Sequence, residues 1–146
     1  MAVETYLEIG EQAEYSRRIS EADVLRFAEI SGDFSPIHVD EAFARTTPFR
    51  RRIVHGALLM GLLSTTSTIV AERSMRRGAK GVPVSLGYDR IRIIQPVFID
   101  DEVTARYTVE TLDRDAGRTI SRIEIVNQHG ALCLVGSHVM KWVTPA

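Results

Sequence analysis

Cysteine is almost missing: Cys133 is the only one among 146 residues. The chain can therefore form no disulfide with itself, and a reducing, cytoplasmic setting is expected. Net charge is almost missing too. Against 19 Asp and Glu stand 18 Lys and Arg, a formal charge of -1, so no global basic field exists to draw in nucleic acid and none is expected as a partner. Long apolar runs are lacking. The single membrane suspect, Gly56 to Ala71, falls short of the roughly 20 apolar residues a span needs and is broken by Ser64, Thr65, Thr66, Ser67 and Thr68. It reads as a buried core helix, and no membrane partner is expected. Met1 to Glu14 is acidic, without a basic start and apolar stretch, so no secretory signal is expected. Repeats, low-complexity tracts and metal-ligand spacings such as His-Glu-x-x-His are absent as well.

What remains is an ordinary globular composition, 45% apolar and 25% charged, enough for one domain over residues 1–146 with one hydrophobic core. A short strand is expected near Ala13 to Ile19. Ser20 has the position of a helix N-cap, followed by Glu21 and Asp23 where the helix dipole favours acids. Val24, Leu25, Phe27, Ala28 and Ile30 form a helical stripe that Gly32 can end. Pro36 biases Ser35 away from helix and is expected to stop any helix there. Asp40 is placed to cap a second helix, Glu41 to Arg45. From Gly56 a long helix is expected to Arg77, with Gly78 as C-cap; its first half is apolar nearly all round, which predicts burial on every side.

After Pro83 the texture turns to strands. Val103, Ala105, Tyr107 and Val109 alternate with Thr104, Arg106, Thr108 and Glu110, as on a sheet with one wet face. Asp113 to Gly117 and Asn127 to Gly130 read as turns to two further strands, the last spanning Ala131 to Val143. Another long strand is expected over Ser85 to Phe98, broken near Pro96. Helices first and meandering strands afterwards make an α+β pattern, one long helix against a curved antiparallel sheet. The open edges of such a sheet predict a dimer.

Chemistry concentrates in Ser31 to Asp40, Ser-Gly-Asp-Phe-Ser-Pro-Ile-His-Val-Asp, and in Ile53-Val54-His55-Gly56. Asp33 and His38 stand five positions apart around a proline. Regular structure would not face them together, but a bent loop can, and a carboxylate and an imidazole around one water can add or remove that water. The competing reading makes Asp33 a turn cap and His38 a satisfied core histidine. His55-Gly56 starts the buried helix and offers a backbone N–H without an intrahelical partner, where the helix dipole suits a developing oxyanion. A glycine for close packing is the plainer alternative. A metal held by Asp33, His38, Asp40 and His55 is disfavoured by spacing. Ser64 lies two turns beyond Gly56 on the same face, yet serine in a buried helix more often bonds the preceding turn. Cys133 and the histidines at 129 and 138 read as structural. Arg50 to Arg52 and Arg73, Arg76, Arg77 and Lys80 could bind phosphate, although a solvated rim is the ordinary explanation.

Together, the Ser31–Asp40 stretch and Ile-Val-His-Gly resemble the hydratase motif of the MaoC-like, (R)-specific enoyl-CoA hydratases, and the likeness runs over essentially the whole chain, including Gln95-Pro96-Val97-Phe98 before Asp100-Asp101. The resemblance implies a hot-dog fold, a sheet wrapped round a long helix, in a dimer that takes acyl-CoA near its interface. It implies Asp33 and His38 as the catalytic acid–base pair, Gly56 as the backbone donor to the thioester oxygen, and Ser64 as an active-site neighbour. One departure is Ser35, where the family often carries Asn. The activity implied is reversible hydration of a trans-2-enoyl-CoA, with no metal or redox cofactor. An acyl-CoA thioesterase and a non-catalytic acyl-CoA-binding subunit are the alternatives. An acyl pocket along Met60 to Ile69 would favour apolar chains, unless an arginine at 50 to 52, 90 or 92 turned inward to meet a substrate carboxylate.

Overall fold

A computed structural model describes residues 3–144. The elements run β1 (Gln12–Arg18), α1 (Glu21–Ser31), α2 (Pro36–Val39), α3 (Glu41–Thr46), α4 (Gly56–Arg76), β2 (Val82–Ile93), β3 (Glu102–Asp113), β4 (Arg118–Val126) and β5 (Leu132–Val143). The strands form one five-stranded sheet in the order β1-β3-β4-β5-β2, with every pairing antiparallel. This is the α+β arrangement expected from the chain.

Side-chain alternation builds the core. Val103, Ala105, Tyr107 and Val109 of β3 point to one face and are buried, as are Ile123 and Ile125 of β4 and Leu134, Met140 and Trp142 of β5. Against that face lies α4, which sends in Leu59, Leu62, Leu63, Thr66, Ser67, Val70 and Ser74. The spacing is that of a single helical face. Burial on all sides is therefore corrected: Ala57, Gly61, Ser64 and Thr68, one turn apart in succession, remain exposed. Hydropathy misses this stripe because its residues are small rather than charged.

Local signals fix the ends of α1. The Ser20 hydroxyl accepts the Asp23 N–H at 3.1 Å while the Asp23 carboxylate accepts the Ser20 N–H at 3.0 Å, a reciprocal capping box. At the other end Gly32 adopts a left-handed conformation (φ 78°) and its N–H closes on Ala28 O. Only part of the predicted α1 stripe goes inward: Val24 and Ala28 are buried, whereas Ile30 is 88% exposed.

Pro36 corrects another expectation. It opens α2 instead of ending helix, because the first helical position needs no N–H, and Ser35 before it is extended as proline demands. His38 accordingly sits on a one-turn helix and not in irregular loop. Strand β2 is also displaced, starting at Val82 and ending at Ile93. It is an edge strand, which tolerates Pro83 opposite Trp142. Beyond it, Val97 and Phe98 pair elsewhere: Val54 N–H donates to Val97 O at 2.7 Å, and Ile53 bridges Phe98. That pairing fixes the entry of α4.

Candidate active site

Three segments converge at the start of α4. The turn after α1 carries Asp33, α2 carries His38, and the residues ahead of α4 carry His55 and Gly56. One donor or acceptor atom from each of Asp33, His38 and His55 lies within 4.8 Å of the others. The acid and the base expected from sequence are thus neighbours, close enough for one water to touch both.

Asp33 does cap a turn, as the plainer reading held: its Oδ1 accepts the Ser35 N–H at 3.1 Å. That bond occupies one oxygen of an otherwise exposed carboxylate. His38 is half-buried, and its Nδ1 stands 2.7 Å from Ile53 O. A carbonyl only accepts, so Nδ1 bears the hydrogen and Nε2 of the neutral ring keeps its lone pair. His38 is held in the tautomer a general base needs.

The ring of His55, which the sequence offered only as a disfavoured metal ligand, is 1% exposed. It stacks on His38 with centroids 3.9 Å apart and planes 26° from parallel, and Phe27 tilts against it at 4.8 Å. Its Nε2 donates to the Asp33 carbonyl at 3.0 Å, leaving Nδ1 buried with no partner among the described residues. Such an orphan costs about 1–3 kcal/mol and asks for an explanation. The only sequence signal was a histidine directly before the helix-opening glycine.

A cation fits this cluster poorly. Stacked rings aim their in-plane lone pairs side by side instead of at one point, and each ring has already spent a nitrogen on a main-chain carbonyl.

Gly56 is the first residue of α4, and its N–H finds no partner among the described residues. An added Cβ there would collide with Ile93 Cδ1, so the glycine lets the Ile93 side chain pack against this helix start. Ser64 is on the exposed stripe of the same helix, about 12 Å up the axis at 1.5 Å per residue. It is not gathered into the Asp33–His38–His55 cluster. Its hydroxyl stands beside the Tyr88 phenol, whose pKa burial raises while the hydroxyls of Ser85 and Ser64 pull it back.

Arg51, Arg52, Arg73 and Arg77 are engaged elsewhere. Arg52 is clamped between Glu21 and Glu41 at 2.8 and 2.9 Å, Arg51 lies 3.7 Å over the Phe98 ring, and Arg73 and Arg77 both face Glu11. Arg90 and Arg92 are exposed. His138 belongs to the core, as read from sequence, bonded at 2.7 Å to both Ser85 and Tyr107; burial lowers its pKa to about 4 and pushes the Tyr107 phenol up to about 12. Cys133 is buried, which raises its thiol pKa and keeps it protonated.

The sheet with a long helix on its face, and a histidine–aspartate cluster at that helix's start, define a hot-dog fold of the hydratase type. Residues 5–130 match the family described as MaoC like domain. The chain is 39% identical over 135 residues to the (R)-specific enoyl-CoA hydratase of Aeromonas caviae, covering 92% of this chain and 95% of that one. Among solved structures, an (R)-hydratase from A. caviae superposes with a TM-score of 0.81 at 38% identity, over 96% of this chain and all (100%) of the other. The R-hydratase PhaJ1 of Pseudomonas aeruginosa superposes with a TM-score of 0.79 at 29% identity, over 95% and 84%. The chain belongs to the MaoC-like family.

Proposed function

We propose that this protein catalyses the reversible, (R)-specific hydration of trans-2-enoyl-CoA to (R)-3-hydroxyacyl-CoA. The observation that carries the reading is the apposition of Asp33 and His38 beside the unpartnered N–H of Gly56. The Gly56 N–H and the α4 dipole take up charge on the thioester oxygen as an enolate develops. Asp33 and His38 hold one water; Nε2 of His38, free because Nδ1 is committed to Ile53 O, accepts its proton as oxygen attacks C3. The pair then returns a proton to C2, so that the elements of one water are added across the double bond. The thioester itself stabilises the carbanionic character, and no cofactor enters the reaction.

The protein works as one domain in the cytoplasm, in fatty acyl metabolism, and as a homodimer. Edge strand β2 carries exposed Val82, Leu86 and Ile93, with Ile94 just beyond, and Phe34 is exposed beside Asp33. A second copy covers these groups and brings acyl-CoA near the interface. Ser64 lines the acyl side of the site from the exposed stripe of α4.

A thioesterase on the same fold would cleave the thioester, and a binding subunit would need neither acid nor base. Crotonyl-CoA separates the three. Hydration consumes the conjugated enoyl absorbance without liberating thiol, hydrolysis liberates thiol, and binding alone does neither. Thiol release matching substrate loss would replace the hydratase reading.

A further inference from the structure

The Gly56 N–H and the Asp33–His38 pair come from different segments, and three hydrogen bonds tie those segments together. Ile53 N–H donates to Ile37 O at 3.2 Å, His38 Nδ1–H to Ile53 O at 2.7 Å, and His55 Nε2–H to Asp33 O at 3.0 Å. Only the third holds the residue that carries the carboxylate. The same His55 ring lies flat against His38, and its backbone (φ −57°, ψ 129°) hands the chain directly to Gly56. One side chain touches the base, grips the main chain of the acid and precedes the oxyanion donor.

The orphaned Nδ1 shows that packing alone does not explain this residue, since a phenylalanine would fill the space with no unpaired buried nitrogen. Building on the hydratase reading above, we propose that His55 is a positioning residue. Through its Nε2–H bond to the Asp33 carbonyl, it sets the distance between the acid–base pair and the Gly56 N–H. It has no role in proton transfer.

The test is a comparison of variants in the full chain. A glutamine places its amide nitrogen where histidine has Nε2, an asparagine places it near Nδ1, and a phenylalanine keeps the ring without a donor. A misplacement on the order of 1 Å costs about a hundredfold in rate. Hydration of crotonyl-CoA should thus fall about 30- to 100-fold in kcat for H55N and H55F, with KM within about threefold of the unmodified protein, while H55Q stays within about fivefold. H55N and H55F as fast as H55Q, in an active unmodified protein, overturn this inference alone. Absence of hydration by the unmodified protein overturns the reading of the site and the inference with it. Should a variant fail to fold, the histidine nitrogen–proton NMR spectrum of the unmodified protein decides: His55 is expected as the Nε2–H tautomer, and the Nδ1–H tautomer would break the bond on which the proposal stands.

Discussion

Replacing Gly56 by proline should remove the oxyanion donor while leaving the fold in place. The first residue of a helix makes no intrahelical bond through its N–H, and proline is favoured there. His55 already has ψ 129°, the extended conformation that a following proline requires. The new Cβ would press on Ile93 Cδ1, the far end of a flexible side chain, which can turn aside at about 0.5–1.5 kcal/mol if it is driven off its rotamer. Loss of glycine's freedom in the unfolded chain offsets that by about 0.4–1 kcal/mol, so net stability should change by no more than about 1 kcal/mol. Gly56→Ala carries the same Cβ and keeps the N–H, which makes it the control. Deleting one oxyanion-hole donor costs about 10²–10³ in kcat, about 3–4 kcal/mol. Hydration by G56P should therefore be about 10²- to 10³-fold slower than by G56A, with the two melting together. Equal turnover in the two variants would show that the Gly56 N–H does not meet the developing charge.

Further outcomes follow from the core and the surface. His138, fully buried, has its pKa lowered to about 4 from 6.5, so the unfolded chain binds a proton more readily than the folded one between those values. Stability should fall as pH drops from 6.5 to about 4, by about 3 kcal/mol, and His138→Gln should flatten that limb of a urea-denaturation series; an unchanged limb would assign the acid sensitivity elsewhere. Light scattering at micromolar concentration should give the mass of a dimer, and an active monomer would contradict the covering of β2. Because Arg51 and Arg52 are engaged with Phe98, Glu21 and Glu41, the acyl site has no free cation from them, and kcat/KM should favour crotonyl-CoA over mesaconyl-CoA. A preference for mesaconyl-CoA would point to an arginine that turns inward on binding.

Features set by a few neighbouring residues were legible in the chain. Ser20 with Asp23, Gly32, and the alternation from Val103 to Val109 each act within one turn or one strand, and each forms where expected. Features set by distant partners were not. The end of β2 at Ile93 depends on where β5 stops pairing, and Val97–Phe98 are taken instead by Ile53–Val54. Pro36 signals both a helix stop and a helix start, and only the surrounding turn decides between them. The stripe of Ala57, Gly61, Ser64 and Thr68 gave no charge by which to recognise an exposed face. At the site, the approach of Asp33 to His38 and the helix start at Gly56 were readable through their motif. The His55 ring was not, because its bond to Asp33 spans 22 residues and its stacking on His38 exists only once the two segments meet.

In the proposed mechanism Asp33 and His38 together carry the proton transfers of hydration. The most direct measurement is the crotonyl-CoA hydration rate of purified Asp33→Asn and His38→Ala, with circular dichroism and melting confirming that both are folded. Loss of a general acid–base group costs about a hundred- to ten-thousandfold, and each variant should fall by that much. Turnover near that of the unmodified protein in either folded variant would remove that residue from the mechanism.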